Sequence, residues 1–390
     1  MNTSPQPFSC QKHLFKLDPN VHYLNCAYMS PFLKSAEAVG IEGIQLRRTP
    51  SDITPQDFFT RIQHAREFAA KMISIDDPNQ IALIPSVSYG MASAAQNLSI
   101  KPGQNIILLD EQFPSNVYIW QRVCPPDATI RTVSPPDQFQ GRGKIWNDYI
   151  LEAIDNDTAV VSLSHIHWAN GTRFDLEKIS TRAREVGAVL IIDGTQSTGS
   201  YPFDMGKIQP DALICGTYKC LMGPYSLGFA YFSPRFNDGV PLEENWITRL
   251  GSENFSRLIH YESEYQPGAI RYDAGERSNP ILVPMMNEGL KQLIEWGSEN
   301  IQSYCRKLIQ PLIKTLPSLG YWVEDEEWRA SHLFGIGMPD DLDVNTLSKT
   351  LKDNNIMVSV RGRYIRVSPH VYNDKADINA LLNVLKSMVQ

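Results

Sequence analysis

From about residue 80 the chain alternates short apolar runs with longer amphipathic segments. The runs 105–109 and 188–192 are almost wholly apolar, which is typical of strands buried on both faces of a largely parallel sheet. The segment 175–186 has the period of an amphipathic helix, and Gly187 is placed to end it. Further strands are predicted over 81–85, 129–133, 159–164, 212–215 and 228–232. This alternation predicts an α/β fold with a large, doubly wound, mostly parallel sheet.

The last third of the chain has a different pattern, with helices and strands that predict a smaller α+β domain. Its helices are predicted over 281–296, 301–315, 344–352 and from Asn373 or Asp374 onward, and its strands over 333–337, 357–360 and 364–367. The first fifty residues are rich in proline and are predicted to be irregular, with one strand-like stretch at 22–24. We expect an N-terminal arm (1–20) that packs with the small domain, a large domain (21–280) and a small domain (281–390).

Composition excludes several classes of protein. The chain has 390 residues, 42% apolar and 20% charged, with a net charge of −7. These values are ordinary for a soluble globular protein and give no reason to expect nucleic acid or an anionic membrane as a partner. No apolar run approaches the ~18 residues of a membrane span, and the polar N-terminus has no signal-peptide core, so we expect a cytoplasmic protein. The six cysteines form no C-x-x-C pair, so neither disulfides nor a metal site is expected.

Two charged side chains follow buried strands, at the sheet edge where ligands bind in such folds. Asp193 ends one apolar strand, and Lys219 comes just after another. A structural ion pair is one explanation. The other is a site for pyridoxal 5′-phosphate, which needs a lysine for a Schiff base and a carboxylate that keeps its ring nitrogen protonated. Partial burial beside cations would keep the lysine amine partly deprotonated.

Other residues at successive strand ends fit the same hypothesis. Ser86, Val87 and Ser88 lie at a strand-to-helix turn, where free N–H groups and the helix dipole favour an anion such as a phosphate; an ordinary N-cap serine is the alternative. Phe113 follows the next strand and is placed to stack on a flat ring, although a single phenylalanine there is more often a core residue.

At this point the chain resembles the class V aminotransferase group of fold-type I pyridoxal-phosphate enzymes, which includes cysteine desulfurases, kynureninases and isopenicillin N epimerase-like proteins. The resemblance covers nearly the whole chain, from 23–28 to 366–369, and the D-x-T-Q-S-x-G stretch at 193–199 is similar to the desulfurase pattern. It implies that Lys219 is the Schiff-base lysine. The other implied cofactor contacts are Asp193 at the ring nitrogen, Gln196 near the phenolic oxygen, Ser88 and Tyr218 at the phosphate, and His165 and Trp168 around the ring.

Arg366 follows a predicted strand, and its planar guanidinium can bind a carboxylate through two hydrogen bonds. The family uses the matching arginine for the substrate's α-carboxylate, and a surface salt bridge is the alternative. The remaining residues expected to line the substrate pocket are Asn25, Tyr28, Trp246 and Asn279.

Two stretches resemble kynureninases more than desulfurases. Phe113-Pro114-Ser115 and the Tyr218-Lys219 pair match the kynureninase pattern, where desulfurases carry histidines. The segment 277–280 resembles the kynureninase segment that reaches the neighbouring subunit's site. The resemblance therefore implies a homodimer with a shared active site, in which Asn279 also contacts the cofactor.

The chain also departs from the family pattern. Desulfurases carry a mobile catalytic cysteine shortly before the carboxylate-binding arginine, but 358–364 contains none. Without a thiolate to receive the sulfur, desulfurase activity is not expected, and Cys220 is interpreted as structural. Trp168 stands where desulfurases have an asparagine, and Asn170 is a candidate to replace it.

Other function classes stay open. His165 and His167 point the same way if they lie on a strand, and with Asp193 they would form a metal site in a hydrolase. A non-catalytic binding protein of the same fold is a second alternative. The favoured hypothesis is an aminotransferase-like enzyme that acts on an amino acid through an external aldimine. A kynureninase-like lyase and an epimerase are its alternatives, because all three reactions begin at the Cα–H bond.

Overall fold

The computed structural model describes residues 8–389, which form three sheets and the helices around them. The strands are β1 (His22–Tyr23), β2 (Ile81–Ile84), β3 (Asn105–Leu109), β4 (Thr129–Val133), β5 (Thr158–Ser164), β6 (Val189–Asp193), β7 (Ala212–Gly216), β8 (Gly228–Phe232), β9 (Trp322–Val323), β10 (Phe334–Gly337), β11 (Ile356–Met357), β12 (Ser359–Arg361) and β13 (Tyr364–Val367). The α-helices are α1 (Lys34–Leu46), α2 (Thr60–Ile73), α3 (Val87–Gln96), α4 (Tyr118–Val123), α5 (Arg142–Ala153), α6 (Leu176–Val186), α7 (Met205–Ile208), α8 (Leu282–Trp296), α9 (Ser298–Thr315), α10 (Val344–Asp353) and α11 (Lys375–Ser387).

The largest sheet has seven strands in the order β2-β8-β7-β6-β5-β3-β4. Only β8 runs against its neighbours, and the other neighbouring pairs are parallel. Every residue of β3, β6 and β7 is buried, as expected for a sheet covered on both faces. The predicted large, mostly parallel sheet is confirmed, and the carboxyl ends of β2, β3, β5, β6 and β7 lie along one edge.

A smaller antiparallel sheet in the C-terminal part has the order β12-β13-β10-β9. The predicted strand at 357–360 is divided between two sheets. β11 pairs in parallel with β1 from the N-terminal part, whereas β12 pairs with β13. The predicted α/β fold with a smaller α+β part is thus confirmed.

The helix ends follow the signals in the sequence. The Asp175 carboxylate accepts a hydrogen bond from the Lys178 amide at the start of α6, and Gly187 ends that helix with φ of 75°, a left-handed conformation that glycine adopts without steric cost. Asp374 caps α11, with Asp377 completing a capping box. Of the two predicted caps for this helix, Asp374 is therefore the one used.

The expectation that the first fifty residues are irregular is wrong for α1. Gly40 and Gly43 weaken the helical pattern in sequence, but the structure explains them by the close packing of α1 on the start of α8. A Cβ atom on Gly43 would overlap the carbonyl oxygen of Pro280, and one on Gly40 would lie 2.8 Å from the sulfur of Met285. The two glycines therefore allow α1 and α8 to approach.

The N-terminal arm contacts the C-terminal part of the chain. Lys12 forms an ion pair with Asp374 at 2.6 Å, and the Phe8 ring packs edge-on against Trp296 and Tyr304. Residues 1–7, the first part of the predicted arm, lie outside the described residues, and the three domain boundaries stay predictions. Among residues 8–389, no helix combines the length and the apolar character needed to cross a membrane.

We expect Gly43→Ala to destabilise the protein by about 1–3 kcal/mol, because the added methyl group overpacks the contact with Pro280. The matched control is Gly206→Ala, where the nearest atom to the new Cβ would be a side-chain oxygen 3.4 Å away. Urea unfolding of the two variants measures the difference. A Gly43→Ala protein as stable as the control would contradict the packing argument.

Candidate active site

A cavity of about 320 Å³ opens at the carboxyl edge of the large sheet. It lies between the first turn of α3 and the loops that follow β3, β5, β6 and β7. Nine of the residues predicted from the sequence line it: Ser86, Val87, Ser88, Phe113, Trp168, Asp193, Gln196, Tyr218 and Lys219. Residues that follow different strands therefore meet in one cavity, although Ser86 and Lys219 are 133 positions apart in the sequence.

Lys219 and Asp193 face this cavity with only 6% and 7% of their surfaces exposed. Asp193 accepts a hydrogen bond from the Thr195 amide at 2.9 Å. Burial raises the pKa of the Asp193 carboxyl. It lowers the pKa of the Lys219 amine to about 8, against the opposing effect of Asp193.

The Lys219 amine lies among aromatic rings. Its nitrogen is 5.0 Å from the ring centroid of Phe113 and 5.2 Å from that of Tyr218. Lys219 and Asp193 influence each other through space without a direct hydrogen bond. The structural ion pair that the sequence left open is therefore absent from the described residues, and both side chains are available to a ligand.

The first turn of α3 forms another wall of the cavity. Ser86 caps the helix by accepting a hydrogen bond from the Tyr89 amide at 3.2 Å, so the N-cap alternative for this serine is borne out. The Ser88 hydroxyl lies 2.9 Å from that of Ser115, which also faces the cavity. The first N–H groups of a helix have no partner within the helix, and here they border a space that an anion can enter.

Arg366 is 2% exposed and lies on β13, behind Trp168. It donates to the Trp168 carbonyl at 2.9 Å and to the Ser359 hydroxyl at 3.3 Å, and its Nε has no hydrogen-bond partner. Burial lowers its pKa to about 10. The surface salt bridge considered from the sequence is wrong: the side chain is buried, and no acidic partner contacts it within residues 8–389.

Asn25 lies beside Arg366, but none of the four predicted pocket residues lines the cavity itself. The Asn25 carboxamide accepts from the same Ser359 hydroxyl at 3.0 Å. Tyr28 is 58% exposed. Trp246 and Asn279 border a separate groove, where Asn279 accepts from the amides of Ile281 and Leu282 at the start of α8. In the single chain Tyr28, Trp246 and Asn279 therefore lie away from this cavity, and the expected contact of Asn279 with the site of a neighbouring subunit stays a prediction.

The expected cofactor contact by His165 is not formed, because the side chains after β5 alternate in direction. Ser164, Ile166 and Trp168 face the cavity. The His165 ring faces the other way and packs edge-on against Tyr201 and Phe203. Burial lowers its pKa to about 3, so it is a neutral core histidine.

His167 also faces away from the cavity. Its ring nitrogens lie 3.1 Å from the Asn170 side-chain oxygen and 3.1 Å from the Glu111 carbonyl. The metal-site alternative therefore fails on geometry: the two histidines do not converge with Asp193, and within the described part of the chain no three His, Cys, Asp or Glu side chains are grouped to hold a metal.

Several polar residues of the cavity lining are not predicted from the sequence, among them Gln112, Ser164, Tyr225 and Ser226. Gln112 and Ser164 both line it, and the Gln112 Oε1 and Ser164 Oγ atoms are buried without a hydrogen-bond partner. Ser164 ends β5 directly opposite Asp193 on β6, so the same strand-end signal that singled out Asp193 also applies to it. Gln112 is adjacent to Phe113 in the loop after β3.

Comparison with known proteins identifies the family. A model of the family described as Aminotransferase class-V matches residues 52–381, so the chain belongs to the class-V aminotransferase family. An uncharacterized aminotransferase of Schizosaccharomyces pombe is 23% identical over 395 residues, covering 98% of this chain and 96% of its own length. Kynureninase of Pseudomonas fluorescens is 29% identical over 224 residues, covering 55% of this chain and 49% of its own.

The fold is shared with solved structures. The apo structure of a cysteine desulfurase from Thermococcus onnurineus NA1 superimposes with a TM-score of 0.81 at 18% identity, covering 100% of this chain and 99% of that chain. At this identity the likeness shows the fold alone.

The cofactor of the family, pyridoxal 5′-phosphate, fits the cavity. Three buried oxygens in the lining lack a partner: those of Gln112, Ser164 and Gln196. A buried polar atom is costly unless a ligand satisfies it. Together with the amine of Lys219 and the open helix terminus, these oxygens suit a polar, phosphorylated ring.

We expect Asp193→Asn to leave the cofactor-free protein at least as stable as the wild type at pH 7. Burial raises the pKa of Asp193, so the folded state binds this proton more tightly than the unfolded chain. The carboxyl therefore loses its favourable contribution to stability as the pH rises above its unfolded pKa. Asparagine removes the charge and keeps an acceptor for the Thr195 amide.

Thermal unfolding with and without pyridoxal phosphate checks this expectation. The cofactor should stabilise the wild type more than Asp193→Asn, since it binds the folded state. Asp175→Asn, at the N-cap of α6, is the control and should leave this gain unchanged. A cofactor-free Asp193→Asn protein that unfolds well below the wild type would contradict the account.

Proposed function

We propose that this protein is a pyridoxal-phosphate-dependent enzyme that binds an amino acid by its α-carboxylate at Arg366 and carries out an aminotransferase-like reaction. The observation that carries the proposal is the Arg366 guanidinium, which is buried behind the cavity wall and has no acidic partner among the described residues. A buried, unpaired charge is strongly unfavourable. A substrate carboxylate would supply the missing anion.

Different residues of the cavity would bind different parts of the cofactor. The N-terminus of α3 and the Ser88 hydroxyl would hold the phosphate, and Phe113 would face the ring. Asp193 would hold the proton at the ring nitrogen. When bound, the cofactor supplies an electron sink for reactions at the substrate's Cα.

In this proposal Lys219, whose side chain lines the cavity, moves the proton at the substrate's Cα. A general base works best when its pKa lies near the operating pH, and burial brings the Lys219 pKa to about 8. Its position between the rings of Phe113 and Tyr218 keeps the amine away from bulk water. The same amine can remove a proton and return it elsewhere, as transamination requires.

A kynureninase-like lyase is the second candidate, supported by the similarity to kynureninase of Pseudomonas fluorescens. Epimerisation is a third reaction that begins with the same proton. In this proposal Lys219 moves the proton in all three reactions, and the groups that surround the substrate side chain decide among them. Spectral and product analysis with candidate amino acids would distinguish transamination from elimination.

Cysteine desulfurase activity is the reaction we do not propose, despite the shared fold. A desulfurase needs a reactive thiolate, and 358–364 contains no cysteine. Burial raises the pKa of Cys26, Cys215, Cys220 and Cys305, so these thiols stay protonated at neutral pH. Cys220, next to Lys219, has a pKa of about 11.

We expect Arg366→Lys to weaken amino-acid binding by about 2–4 kcal/mol, because lysine keeps the charge but loses the planar pair of donors. The loss should appear mainly as a raised KM, since the carboxylate is bound in the ground and transition states alike. The matched amine that lacks the carboxylate should respond equally in both proteins. A wild-type preference for that amine would overturn the proposal.

We also propose a homodimer with a shared site. The groove of Trp246 and Asn279 is open in the single chain, and Ile41 and Ile44 on α1 are exposed apolar residues. A two-fold interface would bury such surfaces twice and make two equivalent sites.

Light scattering should therefore give twice the 44.0 kDa of one chain. A fully active protein with the mass of one chain would contradict the shared site.

A further inference from the structure

A second arginine, Arg361, lies beside Arg366 at the ring of Trp168, although neither arginine is itself part of the cavity lining. In the antiparallel pair of β12 and β13, Ser359 is directly opposite Arg366. Arg361 follows Ser359 by two positions, so its side chain leaves the same face of the sheet. The two guanidinium carbons lie 5.6 Å (Arg361) and 5.9 Å (Arg366) from the ring centroid of Trp168, a residue that lines the cavity.

The positive charge of these two arginines is not neutralised by the protein. Arg361 is half-buried and donates to a backbone carbonyl, that of Val360, at 2.8 Å. Within residues 8–389 neither arginine forms an ion pair, and Asp193 is the one carboxylate of the cavity lining. Arg361 lowers the pKa of both Arg366 and Lys219, so the three cations are close enough to repel one another.

One α-carboxylate accounts for Arg366 but leaves Arg361 without an anion. Two arginines that meet at one aromatic ring are unfavourable together unless a ligand brings negative charge to each. The planar guanidinium of Arg361 is suited to a second carboxylate or a similar planar anion.

We propose that Arg361 determines substrate specificity by binding an anionic group at the end of the substrate's side chain, so that the preferred substrate is an acidic amino acid. This inference rests on the proposed function, in which Arg366 binds the α-carboxylate. In this arrangement the side chain of the substrate lies along the Trp168 ring and extends from Arg366 towards Arg361.

The test compares acidic amino acids with their neutral amides on the protein loaded with pyridoxal phosphate. The change in the cofactor's absorption spectrum is titrated with aspartate, glutamate, asparagine and glutamine. The wild type should respond to an acid at a concentration about tenfold or more below that for its amide, the effect of one charge-assisted contact. Arg361→Gln should raise the half-saturating concentration of the acids about 10- to 100-fold and change that of the amides little.

Arg363→Gln is the matched control. Arg363 is exposed on the other side of the same turn, where it contacts Phe139 and Asp340, so this variant should behave as the wild type. Arg361→Lys, which keeps the charge, should retain part of the preference for acids and shows that the site still forms.

A second measurement does not depend on the reaction. Succinate carries two carboxylates and succinamate one, so succinate should raise the thermal unfolding temperature of the wild type more than succinamate does. Arg361→Gln should remove this difference.

Two outcomes would overturn the role of Arg361 while leaving the proposed function intact. One is an equal loss for acids and amides in Arg361→Gln, which would mean that Arg361 shares the α-carboxylate. The other is a wild-type preference for the amides. If Arg366→Lys changes none of the responses, the proposed function itself fails, and the succinate comparison still decides whether Arg361 binds a second anion.

Discussion

The guanidinium of Arg366 is held inside the protein by neutral acceptors alone, the carbonyl of Trp168 and the hydroxyl of Ser359. A buried charge without an anionic partner is destabilising, so the packing around it must offset that cost. Here all four residues of β13 are buried between β12 and β10. The indole of Trp168 is fixed in turn by its hydrogen bond to the Glu111 carbonyl at 2.7 Å. The contact between Arg366 and Trp168 therefore joins the small sheet to the wall of a cavity built on the large one.

The polar groups of the cavity lower the stability of the folded protein. Burial disfavours the charged forms of Asp193 and Lys219 alike, and three lining oxygens have no partner. Such groups are typical of functional sites, where stability is sacrificed for chemistry. The buried strands β6 and β7 supply the compensating packing, and they also fix where Asp193 and the loop carrying Lys219 begin. A phosphorylated ring and a carboxylate would satisfy the groups that the protein leaves unpaired.

Much of the cavity lining could be predicted from the sequence, because it depends on which residues directly follow the strands. In a parallel sheet the residues that follow the strands meet at one edge, so Ser88, Phe113, Asp193 and Lys219 were found without knowing their contacts. The direction of a side chain was harder to predict. His165 and Ser164 are neighbours in sequence, yet only Ser164 faces the cavity, because side chains alternate along an extended chain. The sequence does not show which of the two alternating sets of side chains faces the cavity.

Tertiary packing explains the other differences. α1 contains two glycines, which are poor helix formers. They are needed for the close approach of α8, a contact that the sequence pattern alone does not show. The resemblance to kynureninases did not show that the Asn279 carboxamide accepts from the amides of Ile281 and Leu282 at the start of α8, and its contact with a neighbouring subunit stays a prediction. Arg361, the second arginine beside Trp168, was not predicted from the sequence, because only the pairing of β12 with β13 brings it next to Arg366.

The attachment point of the cofactor tests the central claim most directly. The protein loaded with pyridoxal phosphate is reduced with borohydride and digested, and its peptides are mapped by mass spectrometry. The account predicts a pyridoxyl group on Lys219 and its loss in Lys219→Ala. A pyridoxyl group at another lysine, or equal labelling of Lys219→Ala, would contradict the account.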